Sequence, residues 1–317
     1  MSKTYAGLMF IGDPHLASRI PGFRKDDYPK VVLEKLDWCL ETAKKEQLLP
    51  ILLGDIFHYP RDNANWLLVE FMRLLEPFKG EVLSVTGNHD CFENNLSEHD
   101  SLLLFSQAKQ LRLLDQSDVW QGMIADKQVQ IGGSAWNQAI PTEFVRVPEV
   151  DSVFWLTHHN LAFNPEWQGM LSARPIPGID FVINGHIHTP QQPLQRGDTQ
   201  WLNPGNIARV SRGDTHSQRA PQMLVMHPMV EGWHSENRVV PHEAYEAVFH
   251  ASIEQAYTAT AQPSAFITGL AELQSRQTHS GAVLHEFLKE NLKNVDPQIA
   301  QYIFQLAQEF IEHDAAE

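Results

Sequence analysis

Short apolar runs alternate with longer amphipathic segments through the first third of the chain. Each run ends close to a glycine, and together they predict buried strands at residues 8–11, 48–53 and 82–85. Between and after them, apolar residues recur at the spacing of one helix face, which predicts helices at residues 30–46, 63–76 and 97–109. This alternation predicts a sheet with helices packed on its outer face.

After residue 110 the pattern changes to short apolar runs separated by turn residues. These runs predict the strands of a second sheet, at residues 129–131, 153–156, 181–183, 201–202 and 223–226. Helical spacing returns at residues 281–293 and 297–312. We therefore predict an α/β fold: a four-layer αββα sandwich of two facing mixed sheets flanked by helices, with a helical C-terminal region. The predicted catalytic domain covers residues 1–241, and residues 242–317 form a cap or a partner-binding region.

Five polar motifs follow these apolar runs in order along the chain. They are Asp13-Pro14-His15, Gly54-Asp55-Ile56-Phe57-His58, Gly87-Asn88-His89-Asp90, Thr157-His158-His159 and Gly185-His186-Ile187-His188. Together they supply carboxylates, one amide and several imidazoles, but no thiolate, which suits two adjacent divalent metal ions. Two such ions usually serve phosphoester chemistry. Because a carboxylate has two oxygens, we expect Asp55 to bridge both metals and Asn88 to bind one.

The spacing within the motifs suggests how the side chains converge. Alternate residues of an extended chain point to the same side, so His186 and His188 are expected to reach one cavity together. Asp13 and His15 are expected to do the same if the backbone stays extended through Pro14. At the fourth motif, the position after the predicted strand favours His158 as the ligand, with His159 as the alternative.

These motifs resemble those of the calcineurin-like metallophosphoesterases, over positions 13 to 188 and, more loosely, to about residue 230. The resemblance implies a first metal held by Asp13, His15, Asp55 and His188, and a second held by Asp55, Asn88, His158 and His186. It also implies that His89 is the catalytic acid or transition-state donor, and that Asp90 orients the His89 ring. The implied reaction is the hydrolysis of a phosphoester bond with two divalent cations.

Two further features resemble one branch of that superfamily, the SbcD-type DNA repair exonucleases. One is His58, where that branch carries a second active-site histidine; the other is the Asn203-Pro204-Gly205-Asn206 turn. The resemblance implies a manganese-dependent DNA nuclease, with iron, cobalt or zinc as other possible metals. DNA and a coiled-coil ATPase are the implied partners, and a homodimer is open. The alternative function is a phosphatase or phosphodiesterase acting on nucleotides or phosphoproteins.

Charge and composition limit these interpretations. The formal net charge of −15 disfavours a broad nucleic-acid-binding surface, although residues 242–317 alone contribute −8 of it. Two groups of basic residues could still hold phosphates at the site entrance: Arg19, Arg24 and Lys25 after the first motif, and Arg209, Arg212 and Arg219 after the last. No run is apolar enough for a membrane span, and the N-terminus has no signal-peptide core. We therefore expect a cytoplasmic protein without a membrane partner.

Overall fold

The computed structural model describes residues 4–21, 24–164, 170–210 and 219–250, which belong to one compact unit ending at Ala251. The helices predicted at residues 281–293 and 297–312, and most of the predicted C-terminal region, lie outside the described residues. No helix of the described part of the chain has the length and apolar character to cross a membrane.

The first sheet has six strands in the order β14-β13-β1-β2-β3-β4. Strands β1 to β4 run parallel, whereas β13 pairs antiparallel with both β1 and β14. The bounds are β1 (Gly7–Ile11), β2 (Leu48–Leu52), β3 (Leu83–Ser84), β4 (Arg112–Leu113), β13 (Gln222–Pro228) and β14 (Trp233–Val239). The helices that connect or follow these strands are α1 (Tyr28–Glu46), α2 (Asn65–Leu75), α3 (Ser101–Gln107) and α4 (Tyr245–Val248), with a 3₁₀ turn at Glu76–Phe78.

The second sheet also has six strands, in the order β11-β12-β10-β7-β6-β5. Its four central strands run parallel, and each edge strand pairs antiparallel with its neighbour. The bounds are β5 (Trp120–Ile124), β6 (Lys127–Ser134), β7 (Ser152–Thr157), β10 (Phe181–Asn184), β11 (Leu194–Arg196) and β12 (Thr199–Leu202). A separate two-stranded ribbon joins β8 (Leu161–Ala162) to β9 (Leu171–Ser172).

Alternate side chains of the central strands enter two different cores. In β1, Leu8 and Phe10 pack between the two sheets, whereas Met9 and Ile11 pack against the helices. This explains why the central strands are continuously apolar: both of their faces are buried. Helices α1, α2 and α3 cover the outer face of the first sheet.

The two facing mixed sheets are confirmed, and so are the helices over the first of them. The strand predicted at residues 223–226 for the second sheet is instead β13 of the first sheet, because it pairs antiparallel with β1. The outer face of the second sheet is covered differently within the described residues. Trp155 and Trp201 point outward there and pack against segments without regular structure, including Ile140, Phe163 and Ile176. Strand β14 was not predicted because an edge strand with a solvated face carries polar residues, as in its sequence Trp-His-Ser-Glu-Asn-Arg-Val.

The core between the sheets contains a group of aromatic rings in contact, one pair stacked and one edge-to-face. Phe154 of β7 is fully buried, and its ring centroid lies 4.8 Å from that of Phe181 and 4.9 Å from that of Trp233. We predict that Phe154→Ala lowers the free energy of unfolding by about 3–5 kcal/mol, because it leaves a cavity lined by these rings. Urea denaturation measures the change. The matched control is Phe92→Ala at a ring that is 64% exposed, where a change below about 1 kcal/mol is expected. Equal losses in the two variants would contradict this account.

Candidate metal centre

The five motifs meet at one edge of the sandwich because each follows a parallel strand. The first three lie in the loops after β1, β2 and β3, and the last two follow β7 and β10 of the opposite sheet. The carboxyl ends of parallel strands share one edge of a sheet, which is where open α/β sheets place their ligands. Residues far apart in sequence thereby come into contact: Nε2 of His15 lies 3.0 Å from Nε2 of His188.

The loops reach the site through left-handed backbone, which corrects the expectation of an extended chain. Asp13 and His15 have φ angles of 37° and 48°, and Asp55 and His186 have 47° and 66°. Non-glycine residues rarely adopt these angles, which cost of order 1–3 kcal/mol each and cluster at functional sites. His186 and His188 also lie beyond the end of β10, so their shared cavity does not follow from strand alternation.

Two glycines give the motifs room to approach one another. A Cβ atom added at Gly87 would lie 2.2 Å from Oδ1 of Asp55, and one added at Gly185 would lie 2.2 Å from the carbonyl oxygen of Leu53. Both distances are far inside van der Waals contact. The glycines of the third and fifth motifs are therefore required by the close approach of neighbouring loops.

Asp55 occupies the centre of the site and is almost completely buried. Its Oδ2 lies 3.2 Å from Nε2 of His158 and 3.7 Å from Nε2 of His15, so one oxygen faces ligands of both predicted metals. Its Oδ1 accepts a hydrogen bond of 2.8 Å from the backbone N–H of His89. The carboxylate therefore lies where a bridging ligand would be needed.

Two groups of donor atoms surround Asp55. On one side, His188 Nε2 lies 3.0 Å from His15 Nε2 and 3.9 Å from Oδ2 of Asp13. On the other side, Oδ1 of Asn88 lies 3.2 Å from Nε2 of His158 and 3.0 Å from Nδ1 of His186. The ligand atoms of Asp55, His158 and His186 all lie within 4.8 Å of one another.

The donors fit divalent cations. Oδ2 of Asp13 and Nδ1 of His15 are buried without a hydrogen-bond partner among the described residues, and an unsatisfied buried carboxylate oxygen is costly. The Nδ1 of His158 donates to the carbonyl oxygen of Leu53 at 2.6 Å, which leaves its Nε2 for a metal. Oxygen and imidazole donors without thiolate suit manganese, iron, cobalt or catalytic zinc.

Burial and charge set the protonation of these groups. Burial holds the pKa of His15 well below its usual value and lowers the pKa of His186 to about 3, so both rings are neutral near pH 7, as metal ligands must be. Burial raises the pKa of Asp13 to about 6. Burial opposes a charge on His158, but the carboxylates of Asp55 and Asp13 outweigh it and raise its pKa to about 9. Bound cations would take over the neutralisation of these carboxylates.

The predicted catalytic residues His89 and His58 also lie at the centre. Nδ1 of His89 donates to the carbonyl oxygen of His58 at 2.9 Å, which fixes the ring and leaves Nε2 available. The two rings stack at 5.4 Å, and His15 meets both edge-on. His15, His58 and His89 form a second cluster whose ligand atoms lie within 4.8 Å of one another.

Asp90 differs from its predicted role. Its carboxylate accepts hydrogen bonds from the backbone N–H groups of Phe57 at 3.1 Å and Gly87 at 2.9 Å, and the His89 ring is oriented by the His58 carbonyl instead. The prediction that Asp90 orients the His89 ring is therefore wrong, because both of these Asp90 contacts are with backbone groups. Asp90 fastens the loop that carries Asn88 to the loop that carries His58.

His158 and His159 separate clearly in the structure. Nε2 of His159 donates to the carbonyl oxygen of Gln138 at 2.8 Å, so this ring points away from Asp55, whereas His158 lies beside Asp55.

Trp136 is an aromatic neighbour of the site that sequence reasoning missed. Its ring lies 4.9 Å from that of His186, tilted by 37°. The available signal was its position just after β6, a parallel strand next to β7.

The basic residues proposed for the site entrance are arranged differently. Arg24 and Arg209 are buried, with 6% and 4% exposure, and the Arg24 guanidinium donates to the Arg209 carbonyl oxygen. Arg19 is exposed and pairs with Asp62 at 3.0 Å. Arg212 lies outside the described residues. Arg24 and Arg209 are therefore internal groups rather than entrance groups.

Comparison with known proteins agrees with this geometry. The profile of the calcineurin-like phosphoesterase family matches residues 7–190. The chain belongs to this family. It is a metallophosphoesterase, a hydrolase of phosphoester bonds, with the His and Asp groups of a candidate dinuclear centre. The SbcD-type branch stays a prediction.

The individual proteins that this chain resembles share little sequence identity with it. The 3',5'-cyclic adenosine monophosphate phosphodiesterase CpdA of Haemophilus influenzae is 24% identical over 205 residues, which cover 59% of this chain and 71% of that protein. The match to the crystal structure of TT1561 from Thermus thermophilus covers 74% of this phosphoesterase and 99% of that chain, at a TM-score of 0.43 and 10% identity. The match to the structure of vacuolar protein sorting 29 from Cryptosporidium parvum covers 74% of this chain and 98% of that one, at a TM-score of 0.32 and 12% identity.

The position of Asp55 generates a prediction about metal content. Asp55→Asn keeps the shape of the side chain but removes the charge that both ligand groups share. We expect elemental analysis of the purified variant to show loss of most of the bound metal, whereas Asp126→Asn, in the exposed turn after β5, should keep the content of the wild type. Two metals per chain in Asp55→Asn would show that Asp55 is not the bridging ligand.

Proposed function

We propose that this phosphoesterase hydrolyses small nucleotide phosphodiesters with two divalent metal ions. The observation that carries the proposal is the Asp55 carboxylate, whose Oδ2 faces two separate groups of imidazole ligands. In the proposed assignment, Asp13, His15 and His188 hold one ion with Asp55. Asn88, His158 and His186 hold the other. Cations bound there would polarise the phosphoryl oxygens and supply a nucleophile at neutral pH.

The chain's own residues supply the other requirements of the reaction. The hydrogen bond from His89 Nδ1 to the His58 carbonyl holds the ring with Nε2 available. A proton on that nitrogen can pass to the leaving oxygen, which is general acid catalysis. Asp90 keeps His89 in place indirectly, because it holds the backbone on both sides of the contact.

Three observations favour a small nucleotide over DNA. The Haemophilus influenzae relative is a cyclic nucleotide phosphodiesterase by its name. The net charge of −15 works against the binding of a polyanion. Trp136 is partly exposed beside His186, and an aromatic face next to a phosphodiester site can stack a nucleobase. A single nucleotide has the one base that Trp136 would stack and the one phosphate that the metal site would bind.

A DNA nuclease is the second candidate function, and His58 favours it. Its buried ring packs against those of His15 and His89, so on this proposal it acts on DNA cleavage through these two neighbours. On this proposal, His58→Asn lowers DNA cleavage more than it lowers hydrolysis of a small diester. The coiled-coil ATPase partner belongs to this second proposal only.

A direct assay separates the two functions. The purified full chain with Mn²⁺ is incubated with 3',5'-cyclic AMP, bis(p-nitrophenyl) phosphate, and single- and double-stranded DNA oligonucleotides. Hydrolysis of cyclic AMP and of the synthetic diester, with intact DNA, supports the first proposal. DNA cutting without hydrolysis of the cyclic nucleotide would replace it with the second.

The position of His89 predicts a loss of rate without a loss of metal. General acid–base groups typically contribute ~10²–10⁴-fold, so His89→Asn should lower kcat for 3',5'-cyclic AMP, whose leaving alkoxide needs a proton, by roughly that factor. Metal content by elemental analysis should stay at the wild-type level. A titration with Mn²⁺ supplies the control. If excess metal restored full activity, His89 would be a structural residue near the metals and not the proton donor.

The position of Trp136 predicts a change in substrate affinity. Stacking on an aromatic side chain is worth ~1–3 kcal/mol per base, so Trp136→Ala should raise the KM for the nucleotide by roughly 5–150-fold with little change in kcat. Trp136→Phe, which keeps an aromatic face, should recover most of the affinity. Trp66→Ala, at a tryptophan that is 47% exposed on α2, is the matched control. An unchanged KM in Trp136→Ala would remove the stacking role.

A further inference from the structure

A row of buried polar side chains crosses the second sheet at the carboxyl ends of its parallel strands. Thr157 of β7 is the register partner of both Ser134 in β6 and Asn184 in β10, and Asn203 comes directly after β12. The first three are completely buried, and Asn203 is 3% exposed. A buried polar group is costly unless it is hydrogen-bonded, so the partners of this row account for its presence.

The amide of Asn184 holds the backbone on both sides of His158. Its Oδ1 accepts hydrogen bonds from the Thr157 hydroxyl at 2.8 Å and from the His159 N–H at 3.0 Å. Its Nδ2 donates to the His159 carbonyl oxygen at 3.1 Å and also to that of Gly185. The register between β7 and β10 ends at Thr157 and Asn184, so this side chain replaces the ladder for the residues beyond the sheet. His158 therefore lies between two residues that one amide fixes.

Asn203 holds the neighbours of His188 in a similar way. Its Nδ2 donates to the carbonyl oxygen of Ile187 at 2.8 Å and to that of Thr189 at 3.2 Å, which are the residues on either side of His188. Its Oδ1 accepts from Nδ2 of Asn184 at 3.1 Å. We name Asn184 and Asn203 the amide pair. Through their mutual hydrogen bond, the amide pair joins the fourth motif to the fifth.

The amide pair acts through the backbone that carries the histidines. Its contacts are with backbone groups, with the Thr157 hydroxyl and between the two amides, so none of these hydrogen bonds uses a nitrogen of an imidazole ring. Oδ1 of Asn184 uses both of its lone pairs, and Nδ2 of each amide donates to more than one oxygen. Buried polar networks that are satisfied in this way are rigid. The two motifs are therefore held in one arrangement.

We propose that Asn184 is a positioning residue for the metal centre, and that it sets the affinity for the cation held by His158 and His186. The inference rests on the ligand assignment of the proposed function. Ligands that are fixed in advance lose little freedom when a cation binds, and residues that fix them typically contribute ~10–100-fold to metal affinity. Asn203 extends the same support to His188, a proposed ligand of the other cation.

Titration of the manganese-loaded, full-length protein with a calibrated chelator, well below its Tm, gives the affinity for each ion. Asn184→Leu keeps a side chain of similar size but none of the hydrogen bonds, and we expect it to weaken one ion by ~10–100-fold and the other by less. The matched control is Thr199→Val at the opposite end of β12, where a buried hydroxyl contacts the backbone of Ile176 and Ile179. This control should lower the Tm and keep both affinities at the wild-type level, as any purely structural residue would.

Two further variants make the result decisive. His158→Ala removes a proposed ligand and should lose one ion. If it kept both ions at the wild-type affinity, the ligand assignment would be wrong and the role of Asn184 would fall with it. If His158→Ala lost an ion but Asn184→Leu bound both ions like the wild type, the assignment would stand and only the role of Asn184 would be overturned.

The second variant covers the case in which Asn184→Leu does not fold. Thr157→Val keeps the shape of the side chain and removes only the hydroxyl that donates to Asn184. Loss of one such hydrogen bond should weaken the same ion by about 2–10-fold. Unchanged affinities in Thr157→Val would then overturn the proposal.

Discussion

The position of one buried carboxylate is the constraint on which the rest of this structure depends. Asp55 must face two groups of imidazoles through Oδ2 and hold the His89 backbone through Oδ1. The left-handed backbone of Asp55 and the absence of a Cβ atom at Gly87 both allow the carboxylate to take this position. A carboxylate taken out of water needs compensating charges and hydrogen bonds, and the two sheets deliver them from opposite sides.

The loops that carry the ligands are held by contacts that do not require a metal ion. Asp90 joins the second and third motifs through two backbone N–H groups. The Asn203 side chain donates to the carbonyl oxygens of Ile187 and Thr189, and the Asn206 N–H donates to that of His188, so the turn after β12 braces the fifth motif. Preorganised ligands of this kind lose little freedom when a cation binds.

The features that could be predicted from the sequence are those that depend on the periodicity of apolar residues and on the order of the polar motifs. Central strands buried on both faces appear as continuous apolar runs, and the polar motifs after them converge because parallel strands end at one edge. Strand β14 was missed because its exposed residues are polar. The backbone angles of Asp13 and His186 could not be predicted, since they are imposed by packing between loops. Neither could the contacts of Asp90, which go to backbone groups that carry no sequence signal.

The wide separation of partners along the chain has a consequence for synthesis. His15 and His188 face each other across 173 positions, and the N–H of Ile207 donates to the carbonyl oxygen of Gly12. Contacts this distant in sequence close long loops, and the entropy lost in closing them slows folding. A nascent chain that lacks β10 therefore has only part of the ligand set. The complete ligand set is present only once the loop after β10, which carries His186 and His188, has been synthesised.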